Sequence, residues 1–347
     1  MKFGLFHSVQ LPDPTREKKY YQEALDQVLW AEQMGYDSVW FTEHHFSRHG
    51  IVSATLSVLA YLAGVTNTIR LGTAVVQLSA RTPTATAMAT LTLDHLSKGR
   101  MILGLGVSGP QVVEGWYGQP FSKPLARTRE YIDIIRQVLR REAPVTSDGP
   151  HYPLPYSGEG AWGLGKPLRP ITHPLRADVP IFMGAEGPKN VALAAEIADG
   201  WLPLYYSPFR QEVYADSLAN KKPGFEISQF VICNINDNLE EALIPVKAML
   251  GFYIGGMGAK KRNFHMELMA RMGFEAEAHK IQDLFMEGKR AEATAAVPDQ
   301  FADEVSLCGS VDRIRERLEA WKETPVTTLL IASQDVSTMR TMAEIAS

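Results

Sequence analysis

Residues 2–41 read KFGLFHSVQLPDPTREKKYYQEALDQVLWAEQMGYDSVWF, and this stretch decides the fold. Lys2–Val9 is a short apolar run of strand length. Glu17–Met34 repeats apolar residues at helical spacing and stops at Gly35, a residue suited to closing a helix. Asp37–Phe41 is a second apolar run. Strand, helix and strand in immediate succession specify two parallel strands joined by a crossover helix. No GxGxxG opens the helix, which argues against a dinucleotide-binding open sheet.

The same unit recurs along the chain. Predicted helices are Ser53–Gly64, Thr84–Leu96, Pro124–Arg141, Pro188–Ala198, Leu239–Tyr253 and Val311–Lys322. Predicted strands are Ile69–Val76, Met101–Val107, Pro180–Gly184, Gly200–Leu204, Phe230–Asn236 and Thr327–Ala332. About eight such units in a chain of this length fit one closed (β/α)8 TIM barrel with insertions, covering 1–347. The insertions fall near 143–178, rich in Pro and Gly, and near 255–306, which carries helical patterns.

Composition narrows the function. Of 347 residues 45% are apolar, enough for a large core, and the formal charge of −4 comes with no basic stripe, so nucleic acid is not an expected partner. Cys233 and Cys308 lie far apart in apolar surroundings and read as free thiols of a reducing compartment. The N-terminal apolar run is too short for a signal peptide, and no run reaches membrane-spanning length. A cytoplasmic enzyme is the expectation.

In a parallel barrel the chemistry sits where strands end. FTEHHF, residues 41–46, puts Glu43, His44 and His45 at the end of the second strand. Adjacent residues on an extended segment point to opposite sides, so only one histidine faces the mouth. Three consecutive ligand types are not a usual metal spacing and no HExxH exists, so no metal is expected. Asp94 and His95, late in a helix, read as structural. In MGAEGPKNVALAAEIADGW the strand ends at Gly184, a tight turn follows, and Pro188 opens a helix. Free N–H groups there, with Lys189, suit a phosphate, although an ordinary βα turn uses the same residues. Ser108 and Gly109 allow close approach to the backbone. Trp116 and Tyr117 are either walls for a flat ring or core aromatics.

FTEHHF, RLGTAVVQLSARTP, TLDHLSKGRMILGLGVSG and GAEGPKNVALAAEIADGW together resemble the bacterial luciferase-like superfamily of flavin and deazaflavin oxidoreductases, over nearly the whole chain. The resemblance implies a (β/α)8 barrel with an insertion, and FMN or coenzyme F420 at the rim. It implies His44 as general acid/base, with Glu43 orienting an imidazole and Glu114 a second candidate acid. It also implies a non-proline cis peptide at Ala74–Val75 beneath the ring. Cofactor contacts would come from Ala74, Val75, Gln77, Ser108, Gly109, Gly184, Ala185, Glu186, Gly187 and Lys189.

FTEHHF resembles the FMN-using monooxygenases, whereas SGPQVVEGWYGQPFSKPLARTREY and GPKNVALAAEIADGW resemble the F420-dependent branch. F420 is favoured, with FMN as the alternative. The implied reaction is hydride transfer to a small organic substrate; the alternative is oxygenation with O2 and a separate flavin reductase, and a non-catalytic flavin-binding barrel is a third reading. The segments Tyr152–Arg176 and Tyr253–Ser306 would shape the substrate pocket. The apolar helix Thr84–Leu96 would supply a homodimer surface, as in relatives, or simply pack on the barrel.

Overall fold

The computed structural model describes residues 1–8, 14–45, 50, 52–258, 263–333 and 335–346. Val9 and Phe46, which end two of the stretches read above, lie outside the described residues.

Among the described residues ten strands follow in chain order: β1 (Lys2–His7), β2 (Ser38–Phe41), β3 (Arg70–Thr73), β4 (Val76–Gln77), β5 (Met101–Gly106), β6 (Ile181–Gly184), β7 (Gly200–Leu202), β8 (Glu226–Ile235), β9 (Leu307–Gly309) and β10 (Thr328–Ala332). All pairings between them are parallel. The ring runs β1-β2-β3-β5-β6-β7-β8-β10 and closes where β10 pairs with both β8 and β1. This is the expected (β/α)8 barrel. β4 prolongs β3 after a break and pairs with β5, and β9 pairs with the far end of β8.

Closure sorts the apolar residues into two sets. Trp40, Ile102, Phe182 and Leu330 form a cluster of their own, lined by Phe6, Ala74 and Leu202. Their strand neighbours Leu5, Val39, Phe41, Leu103, Met183, Leu329 and Ile331 belong to the larger cluster that also takes in the helices. Alternation along each strand therefore separates a filled barrel interior from the sheet–helix layer. The interior is narrow. The two largest interior rings lie over glycines that are their own cross-strand register partners, Trp40 over Gly72 and Phe182 over Gly200. A Cβ on Gly72 would stand 2.4 Å from the indole, and one on Gly200 would stand 2.3 Å from the phenyl ring.

The motif LDHLSKGR works as a joint between a helix and β5. Helix Pro83–Leu96 ends with Lys98 and Gly99 in left-handed conformation. Arg100 then donates to the carbonyls of Ala63, Thr66, Ile69 and Ser97 and to the Thr66 hydroxyl. Buried Asp94 accepts from two nitrogens of Arg176, whose guanidinium also reaches the Met101 carbonyl. His95 touches the His173 carbonyl. Asp94 and His95 are structural, as expected; they pin the first insertion to the barrel.

The segment between Arg141 and Pro180 is irregular, held by two isolated antiparallel bridges, Val145 to Leu168 and Ser147 to Leu154. The second insertion is helical, with Phe264–Met269, Glu275–Met286, Arg290–Ala295 and Asp299–Glu304 packed on the long helix Leu239–Gly256. A final helix, Val336–Ala346, was not among the predicted elements. No helix of the described residues is long and apolar enough to cross a membrane.

Candidate active site

The C-terminal ends of the strands gather polar side chains into two clusters. The first is built on the exits of β2 and β4. Glu43 is buried, and its Oε2 accepts from the Thr55 N–H at 3.2 Å and lies 3.6 Å from Arg81. Gln77 donates through Nε2 to the Glu43 carbonyl at 3.0 Å. The Tyr117 hydroxyl donates to Gln77 Oε1 at 2.6 Å and lies 2.8 Å from His45 Nδ1. His45 Nε2 is 3.5 Å from Glu43 Oε1. Burial and the Glu43 charge push the Tyr117 phenol up to about 12, so it keeps its proton at neutral pH.

His44 takes the other side of the segment. Its N–H donates to the Val52 carbonyl at 2.9 Å, and its ring packs against Gly50, where a Cβ would stand 2.7 Å from Cδ2. Burial, then the neighbouring His45, lowers its pKa below the ordinary imidazole value. The two histidines thus face opposite ways, as strand alternation requires.

The Ala74–Val75 peptide bond is cis. Val75 reaches toward two other strand ends: a Cβ on Gly106 would stand 2.4 Å from its Cγ2, and one on Gly184 would stand 3.2 Å from its Cγ1. Ser108 has φ of +60°, and Gly109 precedes the short helix Pro110–Gly115 without a side-chain cap. Gly187 likewise precedes Pro188–Ile197 without a side-chain cap. Glycines, a left-handed serine and uncapped helix starts leave backbone N–H groups accessible at this rim.

The second cluster joins the exit of β6 to the helical insertion. Glu186 Oε2 lies 2.8 Å from His265 Nδ1, and both atoms are buried without a hydrogen bond of good geometry among the described residues. Tyr205 and Tyr253 make T-shaped contacts with His265, and the Tyr205 hydroxyl is buried with no hydrogen-bond partner among the described residues. Burial, reinforced by Glu186, pushes both phenols up, Tyr253 to about 12. Among the described residues no group of three or more His, Cys, Asp or Glu is placed to hold a metal ion.

A profile of the luciferase-like monooxygenase family matches residues 1–328. The chain belongs to that family. It is an enzyme family, and a Mycobacterium tuberculosis protein named as a candidate coenzyme F420-dependent oxidoreductase is 50% identical over 93% of this chain and 94% of its own length. A 5,10-methylenetetrahydromethanopterin reductase of Methanolobus tindarius is 31% identical over 87% of each chain. The structure of the F420-dependent tetrahydromethanopterin reductase from Methanopyrus kandleri superposes with a TM-score of 0.73 at 21% identity, covering 99% of this chain and 97% of that one, and so shares the luciferase-like fold.

Against this luciferase-like frame the expected site residues divide. Glu43, His44, Ala74, Val75, Gln77, Ser108, Gly109, Gly184 and Gly187 all lie on strand exits or the turns that follow them. Ala185 is buried and accepts from Trp201 Nε1 at 2.8 Å. Glu186 turns toward His265. Two residues are not brought to the clusters. Glu114 is exposed, and its carboxylate accepts from the Phe121 N–H at 3.4 Å. Lys189 is exposed and lines an external hollow of about 570 Å³ with Arg129, Asp216 and Asn220. Glu114 sits near the end of the short helix Pro110–Gly115 and Lys189 in the first turn of Pro188–Ile197, and both side chains leave the rim.

His265, Tyr205 and Tyr253 were not anticipated, because nothing local in the sequence marks them. The role of His45 had a signal: residues i and i+2 of an extended segment share a face, which pairs it with Glu43.

Proposed function

We propose that this protein is an F420-dependent oxidoreductase acting on a small organic substrate at the C-terminal mouth of the barrel. The observation that carries the reading is the 50% identity, end to end, to the mycobacterial protein named for F420. The rim suits such a cofactor: a flat ring has Val75 and the glycines 106 and 184 beside it, and phosphate has the uncapped turns at Gly109 and Gly187. Ala74, Gln77, Ser108 and Ala185 complete the lining.

When bound, the deazaflavin supplies or takes up the hydride. The chain's own residues handle the proton. His44, kept neutral by burial, exchanges a proton with the substrate hydroxyl or carbonyl oxygen. Glu43 holds His45 from behind. His265 and Tyr253, from the insertion and the helix before it, meet Glu186 and Tyr205 from the strand exits and bring hydrogen-bonding groups to the substrate side. The insertion near 255–306 and the segment 152–176 define substrate choice. The enzyme works in the cytoplasm as a homodimer that pairs through the helix Pro83–Leu96, whose outer face carries exposed Met88 and Leu96.

Titration of the purified protein with F420 and, separately, with FMN tests the proposal. Quenched deazaflavin fluorescence with saturable binding, and no oxygen uptake, is the expected outcome. Tight FMN retention with oxygen consumption on reduction would replace it with the monooxygenase reading and a separate flavin reductase.

A further inference from the structure

The hydrogen bonds of the first cluster restrict where its protons can lie. The count starts at Gln77. Its Nε2 donates to the Glu43 carbonyl, which fixes the amide orientation and leaves Oε1 as an acceptor toward Tyr117. The Tyr117 hydroxyl has a single hydrogen, and Gln77 Oε1 receives it at 2.6 Å. His45 Nδ1, 2.8 Å from the same oxygen, must then be the donor. The remaining ring nitrogen, Nε2, faces Glu43 Oε1 at 3.5 Å, an oxygen that is buried and has no hydrogen-bond partner among the described residues. A lone pair on Nε2 would meet a carboxylate oxygen; a proton on it is attracted instead. The Thr55 N–H and the Arg81 guanidinium face the other oxygen of Glu43.

We infer that His45 is held as an imidazolium, protonated on both ring nitrogens, between Tyr117 and Glu43, and that its charge keeps the adjacent His44 neutral and ready to accept a proton. Among the described residues the titratable and charged groups facing this pair are Glu43 and His44 on its own segment, Arg81 after β4, and Tyr117 after β5. Tyr131 stands behind Arg81 and Glu43. The direction of the His44 shift agrees, since His45 contributes to lowering it. His45 is thus a positioning residue that acts through His44. The role of its charge rests on the function proposed above; its protonation state does not.

The test is nitrogen-15 NMR of the ligand-free protein labelled at histidine, with His45 and His44 assigned from His45→Gln and His44→Gln. The expected result is a His45 signal with both nitrogens protonated from pH 6 to 8, reverting to a one-proton imidazole in Tyr117→Phe. In His45→Gln, which keeps a polar side chain of similar reach, the His44 titration midpoint moves up, and the acid limb of the kcat/KM profile moves up with it. A His45 carrying its only proton on Nε2 at pH 7 would overturn the inference, as would a His44 midpoint unmoved by His45→Gln. Circular dichroism establishes that each variant is folded. Failure to bind F420 would remove the proposed function while leaving the His45 result standing.

Discussion

The two ends of the barrel treat charge in opposite ways. At the N-terminal floor, Arg70 lies 2.5 Å from Asp37 and 3.3 Å from Glu226, and Lys2 lies 3.5 and 3.8 Å from the same two carboxylates. These four groups come from the starts of four strands, and each cation meets both anions. At the mouth the polar atoms are buried and left over: His7 Nε2, Thr42 Oγ1, Glu43 Oε1, Glu186 Oε2 and the Tyr205 hydroxyl have no hydrogen-bond partner among the described residues. Two hydroxyls toward the floor, Ser228 and Thr328, share that condition. Buried polar groups without partners cost stability, so a surplus at one rim marks the end where a ligand would supply partners. The floor holds the barrel closed; the mouth keeps its hydrogen-bonding capacity in reserve.

The largest effect that distinguishes the ends is expected at the floor. Arg70→Ala leaves Asp37 and Glu226 facing each other with only a half-exposed lysine, and should cost about 3 kcal/mol of stability. Activity per folded molecule should hold. Urea unfolding beside turnover measures both; a loss of turnover at unchanged stability would reverse the assignment of the two ends.

Next comes acid. His7, buried at the end of β1 and stacked on Phe41, has its pKa lowered by burial to about 4. Below pH 6.5 the unfolded chain binds a proton that the folded site refuses, so stability falls as pH drops from 6.5 toward 4. At pH 5 this one group should cost about 2 kcal/mol, and His7→Phe should flatten that part of the curve. Denaturant midpoints of both proteins at pH 7 and pH 5 decide it; parallel curves would refute it.

At the mouth itself, His44→Ala should lower turnover at least about tenfold. The melting temperature should move by no more than about 2 °C, because the ring lies at the mouth and outside the apolar core. Unchanged kcat would exclude it from proton transfer. The smallest effect belongs to Lys189. Because it faces the external hollow, Lys189→Ala should weaken F420 binding by no more than about twofold, a result that fluorescence titration resolves; a tenfold loss would bring the lysine back to the phosphate.

How far the sequence could be read follows from the range of each interaction. Alternating strand and helix periods made the barrel legible, since each unit is written in local residues. The run Ile69–Val76, read as one strand, is instead β3 and β4 with the cis bond between them. Periodicity carries no sign of such a break. β9 was not among the predicted strands; it lies just past the insertion and pairs only with the far end of β8. At the site, the opposed histidines were legible from alternation, whereas Tyr117 meets His45 across 72 positions. Glu114 and Lys189 looked plausible by type and proximity to a strand end. Their orientation depends on the helical turn each occupies, which type and position do not reveal.

The chain's own pattern determined that parallel strands close around an apolar interior, and that Glu43, His44 and His45 stand where the second strand leaves it. Hydrophobic period and alternation are properties of neighbouring residues, so no tertiary information was needed. Only the folded barrel decided which rim residues meet: Tyr117 with His45 and Gln77, Glu186 with His265, and the glycines with Val75. Those meetings depend on closure, register and the path of the insertions.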